Sequence, residues 1–551
     1  MEQCVAGAYR SVVTVSGSRR LAKTPRALAP RVVLRVLQAG VVLVVVVATP
    51  YKLFELDRFF IPKELVLHVV ALATAAPLLW SSRRLTLTRA DQLFALATIL
   101  ALLSALFASN WWAAGRAVAI ALSGIICFWG ARAVAVAGLG RPLIAAVAAA
   151  GCAGAATALL QAYGFRPELF SLNRAPGGTF GNRNFMAHLA VLTYPALLYT
   201  ATGARGRGRA WTIGAGLIGA ALVLSRTRAA WLAVVVGAII QTPLAWLTLR
   251  GPEQAPRVAA IRRVLVATAA GAGLAVLLPN ALEWRSDSPY LETARTVVSY
   301  SGGSGAGRLV QYRNTASMAA HHPLLGVGPG NWSVEYPRFA VRGDPSLAAG
   351  GLTANPWASS DWVTLLAERG AFGFAAIVVG LTALLVDAAR AIWRSGDADE
   401  RAAATALVTT LAVLAVVGAF DAVQLLPAPA LVVWGALGAL ASPSRLRMAV
   451  SLAGRRRLVA TAGVALLCVG AAGRSWRQLR AMEIFNGTSR ASAIERAARL
   501  DPGSYRIRTR LASAYAARGD CRRARLHARA AAALYPMADE PRRVLAACRG
   551  S

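Results

Sequence analysis

The chain has 551 residues, 56% of them hydrophobic and 15% charged, against about 25% charged in an ordinary soluble domain, and its mean hydropathy is +0.50. A string of three or four soluble domains, the usual expectation at this length, is thereby excluded in favour of a polytopic membrane protein with a soluble tail. The formal net charge of +35, from 60 basic and 25 acidic residues, lies mostly in short loops between apolar runs, where it reports orientation and not nucleic-acid binding.

Apolar runs of bilayer length predict about thirteen membrane helices, at 34–50, 61–80, 91–109, 113–131, 142–163, 184–201, 211–225, 229–249, 261–281, 361–387, 402–420, 425–441 and 457–473. Arg10, Arg19, Arg20, Lys23, Arg26 and Arg31 precede the first run, which puts the basic segment 1–33 in the cytoplasm. No A-x-A-like site follows that run, so no removable signal peptide is expected. Counting alternately, the arginine clusters fall inside: Arg83, Arg84 and Arg89; Arg205, Arg207 and Arg209; Arg250, Arg257, Arg262 and Arg263; Arg390 and Arg394; and Arg445 to Arg457. The transmembrane domain is thus 34–473, with a long polar connection, 282–360, and a tail, 474–551, on the outer side.

In the tail, Pro502 and Pro536 are 34 residues apart, with Leu511, Ala512, Tyr515, Gly519, Ala524, Ala528 and Ala531 between them. This is tetratricopeptide spacing, in which small alanines let paired helices approach and proline ends the second. About two repeats are visible where about three are usually needed, so the tail is expected to pack on the membrane domain or on a partner. An alanine-rich helical hairpin unrelated to such repeats is the other reading. Cys521 and Cys548 fall where adjacent helices meet, and an oxidising compartment would join them; two buried free thiols are the alternative. The six cysteines contain no CxxC spacing, so neither a zinc site nor a redox motif is read from them.

Charges beside spans are costly, which makes those outside the inner clusters functional candidates. On the outer side these are Arg174, Arg226, Arg228 and Arg308. Guanidinium forks match phosphate oxygens bidentately, so the set suits a lipid-linked diphosphate at headgroup depth; anchoring to lipid headgroups is the plainer alternative. Gly326, Gly328 and Gly330 lack the Lys-Ser/Thr and the preceding strand of a phosphate loop and are read as turn formers. Trp111, Trp112, Trp332, Tyr336, Trp357 and Trp362 fit an interfacial belt, with sugar stacking by Trp332 or Trp357 as a second reading.

The runs Gly178-Thr179-Phe180-Gly181-Asn182-Arg183-Asn184-Phe185, Ser225-Arg226-Thr227-Arg228-Ala229-Ala230-Trp231 and His322-Pro323-Leu324-Leu325-Gly326-Val327-Gly328-Pro329-Gly330-Asn331 resemble the O-antigen ligase and polymerase superfamily. The resemblance is strongest from Arg174 to Gly373 and includes Phe60-Ile61-Pro62-Lys63-Glu64. It implies an all-α, GT-C-type membrane fold, here with a small helical-repeat C-terminal domain. It also implies glycan transfer from undecaprenyl diphosphate to an acceptor at the periplasmic face, with neither metal nor cofactor. Arg174, Arg228 and Arg308 would correspond to the family's diphosphate-binding arginines, and Asn184 to a polar residue of the site. In one place the chain departs from the family. Where ligases carry a His-Asn pair, nine residues and then Gly-x-x-Gly, this chain keeps the frame from Asp361 to Gly370 and Gly373, but Ser359 stands for the histidine. A hydroxyl cannot replace imidazole as a base near neutral pH, so the chain uses another base, relies on a pre-ionised acceptor such as a sugar phosphate, or belongs to a branch with different chemistry. The nearby candidates for a base are Asp361, Glu368 and the pair His321-His322, with Asp361 and His322 put forward as catalytic.

The resulting reading is an O-antigen ligase-like membrane glycosyltransferase of surface polysaccharide biosynthesis in a bacterial inner membrane, with a periplasmic tail. Its expected partners are the undecaprenyl-diphosphate-linked glycan, a lipid A core or another glycan acceptor, the bilayer, and an envelope protein recruited by the tail. A polysaccharide polymerase, a lipid-linked glycan transporter and a non-catalytic scaffold remain as alternatives. Against the transporter, the spans hold almost no Asp or Glu at mid-membrane, where ion-coupled carriers usually place them.

Overall fold

The structure, a computed structural model, describes residues 25–171, 174–203, 208–284, 286–296, 303–341, 343–441 and 448–549. Among the basic residues used for orientation, Arg10, Arg19, Arg20, Lys23, Arg205, Arg207 and Arg445 lie outside the described residues. The fold is all-α, with a single two-stranded ribbon among the described residues. Among the described residues, nine α-helices precede the long connection: α1 (Pro25–Val46), α2 (Asp57–Ser81), α3 (Arg89–Ala105), α4 (Trp111–Val136), α5 (Gly140–Ala162), α6 (Arg183–Ala201), α7 (Gly208–Ser225), α8 (Arg228–Thr248) and α9 (Ala255–Leu277). The connection contains α10 (Pro289–Arg295), α11 (Gly303–His321) and α12 (Trp332–Glu335). Then come α13 (Asp361–Arg394), α14 (Ala398–Phe420), α15 (Pro427–Leu440) and α16 (Gly454–Gly487), and the tail adds α17 (Ala491–Leu500), α18 (Tyr505–Ala516), α19 (Cys521–Leu534) and α20 (Asp539–Ala547).

Each of the thirteen predicted runs falls on a helix. Among the described residues, ten helices are long and apolar enough to cross a bilayer. The three other predicted spans fall on α3, of 17 residues, on α6, and on α15, of 14. All of α15 is buried; at about 21 Å it is a core helix, and an apolar run does not distinguish that from a lipid-facing span. The first helix ends at Val46, short of the predicted 50, because the chain turns so that Thr49 N–H donates to the Arg58 carbonyl, 3.0 Å. At the other extreme, α16 runs unbroken past residue 473 to Gly487, so the tail begins as a continuation of the last membrane helix.

Following the chain, one end of the bundle gathers the described residues of 47–56, 106–110, 163–182, 226–227, 278–360, 421–426 and the tail, and the other gathers 82–88, 137–139, 249–254, 395–397 and 448–453. The second end is tied by β1 (Arg84–Leu87) pairing antiparallel with β2 (Met448–Ser451) and by Arg257, whose guanidinium donates to the Ala398 carbonyl, 3.0 Å. Close packing inside rests on small residues, as is usual in membranes. A Cβ on Gly219 or Gly271 would lie 2.1 Å from a carbonyl oxygen of the facing helix, so α7 and α9 approach backbone to backbone. Phe94, Phe128 and Trp434 pack edge to face with ring centres 5.0–5.9 Å apart.

Candidate functional site

The first run of the resemblance is built as a turn feeding α6. The Gln161 side-chain oxygen on α5 accepts the Gly177 and Gly178 N–H groups, both at 2.8 Å, and the Thr179 hydroxyl donates to the Val45 carbonyl at 2.7 Å. Lys63 of α2 donates to the carbonyls of Val47 (2.5 Å) and Val45 (3.3 Å), satisfying the end of α1, and lies over the Phe180 ring. Asn182 caps α6 through the Asn184 N–H, 3.0 Å. Such caps contribute about 1 kcal/mol each; here the cap also fixes where Asn184 and, one turn later, His188 stand.

The second run joins α7 to α8. Arg226 takes φ +51°, the left-handed region, which turns its guanidinium to α10, where it meets Glu292 at 3.0 Å and the Thr293 hydroxyl at 2.8 Å. Thr227 donates to the Asn184 side-chain oxygen at 3.2 Å, and Arg228 donates to the Thr296 carbonyl at 2.9 Å. The Trp284 indole is held between the Arg183 and Arg226 guanidinium groups, 5.1 and 4.8 Å from its centre.

The third run packs against the start of α13. The N–H groups of Gly330 (2.8 Å) and Trp332 (3.1 Å) donate to the buried Glu368 carboxylate, and Val327 and Gly328 N–H donate to the Ala367 and Glu368 carbonyls at 3.0 Å. Gly370 breaks α13 with φ +64° and ψ −177°, and a Cβ there would lie 2.2 Å from the Leu324 carbonyl oxygen. The Gly-x-x-Gly frame is thus the seat of the glycine loop, and Glu368 is its brace.

These pieces meet around Asp421, in the turn after α14. Arg308, Arg174 and Asn184 all act on its carboxylate, which also accepts the Ala422 N–H at 2.9 Å. Burial pushes the Asp421 carboxyl up to about 6, against the pull of Arg308, that N–H, Asn184 and Arg174. His188 lies 3.9 Å from Asp421, and neither of its ring nitrogens has a hydrogen-bond partner among the described residues. Arg308 stands one helical turn before Gln311 and Tyr312 on α11. The Tyr312 hydroxyl is 2.6 Å from the Ser359 carbonyl and 2.8 Å from the Ala419 carbonyl, and Gln311 accepts the Ser359 N–H at 2.6 Å. Ser359 is therefore held beside Arg308 by its backbone.

Of the residues read from the sequence, Arg174, Asn184 and Arg308 converge on Asp421, and Thr227 brings Arg228 alongside. The two residues put forward as bases fare differently. Asp361 is beside the cluster, but its carboxylate accepts the N–H groups of Val423 (2.9 Å) and Gln424 (3.0 and 3.1 Å), so it braces the 421–426 turn and is not aimed at a reactant. His322 is exposed, just beyond the far end of α11; Arg308 and His321 are thirteen residues apart, about 20 Å along the helix axis, so His322 is not brought to the arginines. Asp421 and His188 went unnoticed in the sequence. The available signal for Asp421 was a lone acid closing the apolar run 402–420, the feature that marks an intramembrane charge as functional.

The fold and this cluster define a multi-pass membrane protein with a charged site at one end of its helix bundle. A model of the O-antigen ligase family matches residues 213–378, from α7 into α13, so this part of the membrane domain is similar to that family. The match supports glycan transfer of the ligase or polymerase kind by a membrane enzyme. No curated protein matches the chain.

Proposed function

We propose that the protein transfers a glycan from undecaprenyl diphosphate to an acceptor hydroxyl at the outer face of the inner membrane, in the manner of an O-antigen ligase. The observation that carries this reading is the convergence of Arg174, Arg308 and Asn184 on Asp421 at one end of the bundle, with Arg228 next to Thr227, which bonds to Asn184. The arginines hold the donor diphosphate. The acceptor oxygen attacks the anomeric carbon, the bond from that carbon to the diphosphate oxygen breaks, and undecaprenyl diphosphate leaves with its charge already met by guanidinium groups, the kind of preorganised stabilisation that dominates many such rates. Asp421, which titrates near neutral pH, takes the acceptor proton. It supplies the base that Ser359 does not, and Asp361 and Glu368 keep the surrounding turns in place.

A periplasmic outer end is supported by the arginine-rich opposite end and by the disulfide joining Cys521 to Cys548 in the tail, a bond that persists in oxidising compartments. We read the tail as two tetratricopeptide-like units; α18 and α20 begin 34 residues apart, at Tyr505 and Asp539. Labelling a cysteine placed at Ser346 with a membrane-impermeant reagent in spheroplasts tests the orientation, and protection of that cysteine would defeat it. The activity is tested with purified protein in lipid discs, given an undecaprenyl-diphosphate-linked oligosaccharide and either a lipid A core or a second copy of the donor. Transfer to the core identifies a ligase, elongation of the donor identifies a polymerase, and neither product with either acceptor removes the transferase reading.

A further inference from the structure

The tail is built into the outer end of the membrane domain. Phe54 and Ile61 belong to the same buried apolar cluster as Phe485, Ile494, Ile507 and Leu511. Asn110 donates to the Leu534 carbonyl at 3.0 Å, and Tyr535 bonds to Ser333 just after the glycine loop. The Arg506 guanidinium donates to the Leu53 carbonyl. Among the described residues, no hydrogen bond or ion pair runs from 474–549 to α5 through α10.

One of these contacts reaches the site by a short route. Residues 344–354 form a small hairpin, closed by a bridge between Leu347 and Thr353 and by the Ala354 N–H to Ser346 carbonyl bond, 2.8 Å. Its tip, Gly350-Gly351, sits on the tail: Asp539 N–H donates to the Gly350 carbonyl at 2.9 Å, and a Cβ on Gly351 would lie 2.4 Å from the Met537 carbonyl oxygen. Its base is pinned by Asp344, which accepts from Asn314 (2.8 Å) and Tyr336 (2.6 Å), and by Gln311, whose amide nitrogen is 3.0 Å from the Ser346 hydroxyl. The same Gln311 side chain accepts the Ser359 N–H.

We infer that the tail is a fixed wall on the acceptor side of the site, seating the 344–354 hairpin and through Gln311 the backbone at Ser359, so that the seat governs use of the acceptor and not of the donor. Gln311 and the Asp539 N–H are positioning groups in this arrangement. The inference rests on the proposed transferase reading for the word acceptor; the seat itself does not. Among the described residues the donor arginines, on α8, on α11 and in the turn before α6, have no hydrogen bond or ion pair to the tail, whereas the hairpin and Ser333 after the glycine loop do bond to it.

Asp539 allows a clean test. It is the first residue of α20, where proline is well tolerated, and Ala538 before it is already extended, φ −67° and ψ 135°, as the residue preceding a proline requires. Asp539→Pro therefore deletes one N–H donor, and Asp539→Ala keeps it. In the full-length protein in lipid discs, amide exchange across 344–354 should rise about fivefold in Asp539→Pro, as expected for one lost hydrogen bond, and stay at the wild-type rate in Asp539→Ala. The KM for acceptor should rise with the exchange, and the KM for donor should not move. Unchanged exchange in Asp539→Pro overturns the seat, and equal rises in both KM values overturn its assignment to the acceptor. If the wild-type protein shows no transfer at all, the functional reading falls, while the exchange measurement still decides the seat.

Discussion

The arginines at the two ends of the bundle are alike in kind and differ in what meets them. At the inner end several are answered: Arg132 pairs with Asp91 and reaches the Thr86 carbonyl (3.0 Å), Arg141 pairs with Asp399, and Arg257 takes the Ala398 carbonyl. At the outer end, Arg116 and Arg226 are answered in the same way, by Glu64 with Asp57 and by Glu292. The Arg174 and Arg308 guanidinium groups, however, have no hydrogen bond or ion pair among the described residues, and act together on the single carboxylate of Asp421. Two positive charges thus act on one negative. A charge count from sequence reads all these residues as one class; the counter-charges separate those paired within the fold from Arg174 and Arg308, which in the proposed function bind an anion.

The sharpest way to break this contrast is to remove one charge from each class. Arg308→Ala and Arg228→Ala should each lower glycan transfer by at least about 10²-fold, the cost typical of losing a preorganised group that stabilises developing charge. Arg228→Lys should fail as well, because a point charge does not reproduce bidentate phosphate contact. Arg141→Ala, at the inner end, should leave the rate of the remaining folded protein near wild type. The measurement is transfer at matched protein level in a strain deleted for the gene; full transfer by Arg308→Ala would show that its lack of a partner has no functional meaning.

Asp421→Asn is expected to come next, with a loss of about 10²-fold or more for a missing general base. Because its carboxyl is pushed up to about 6, wild-type transfer should fall as the pH drops through that value. The accompanying stability change has the opposite sign. A folded value above the free carboxylate's, about 3.9, means the folded state holds the proton more tightly, so this group favours folding below about 4, and that contribution is lost as the pH rises through about 6. Acid loss of transfer without unfolding, followed by activity and near-ultraviolet dichroism over the same pH series, is the expected outcome. A flat rate profile across pH 5–7 would remove Asp421 as the base.

Smaller effects sharpen the contrast on the other side of the site. Replacing Cys521 and Cys548 together by serine should cost about 3–4 kcal/mol in the stability of the tail, for the loop that the disulfide closes, seen as earlier proteolysis of 474–551 while the membrane helices stay intact. Ser359→Ala should be nearly silent. Its backbone N–H and carbonyl make the bonds to Gln311 and Tyr312, and alanine keeps both. A large loss of transfer in that variant would show that the hydroxyl itself takes part.

The sequence by itself determined the membrane class, the thirteen apolar runs that became helices, and the end of the bundle to which each loop belongs. Those properties follow from hydropathy, helical length and charge alternation, which are local and additive along the chain. It also named Arg174, Arg228 and Arg308, because charges beside apolar runs stand out one at a time, and Asn184 through the family resemblance. Only the tertiary structure decided how they are used. Nothing local distinguishes Asp361 from Asp421, two acids at span ends; their roles part because the 421–426 turn folds back so that its N–H groups saturate one carboxylate and leave the other facing arginine. Likewise, His322 looked close to the site in sequence and is carried away by the length of α11, while His188, inside an apolar run, is brought beside Asp421 by the packing of α6 against α14. The brace of Glu368, the kink at Gly370 and the seat of the hairpin on the tail join residues that lie far apart in the chain, and contacts of that kind exist only once the helices have packed.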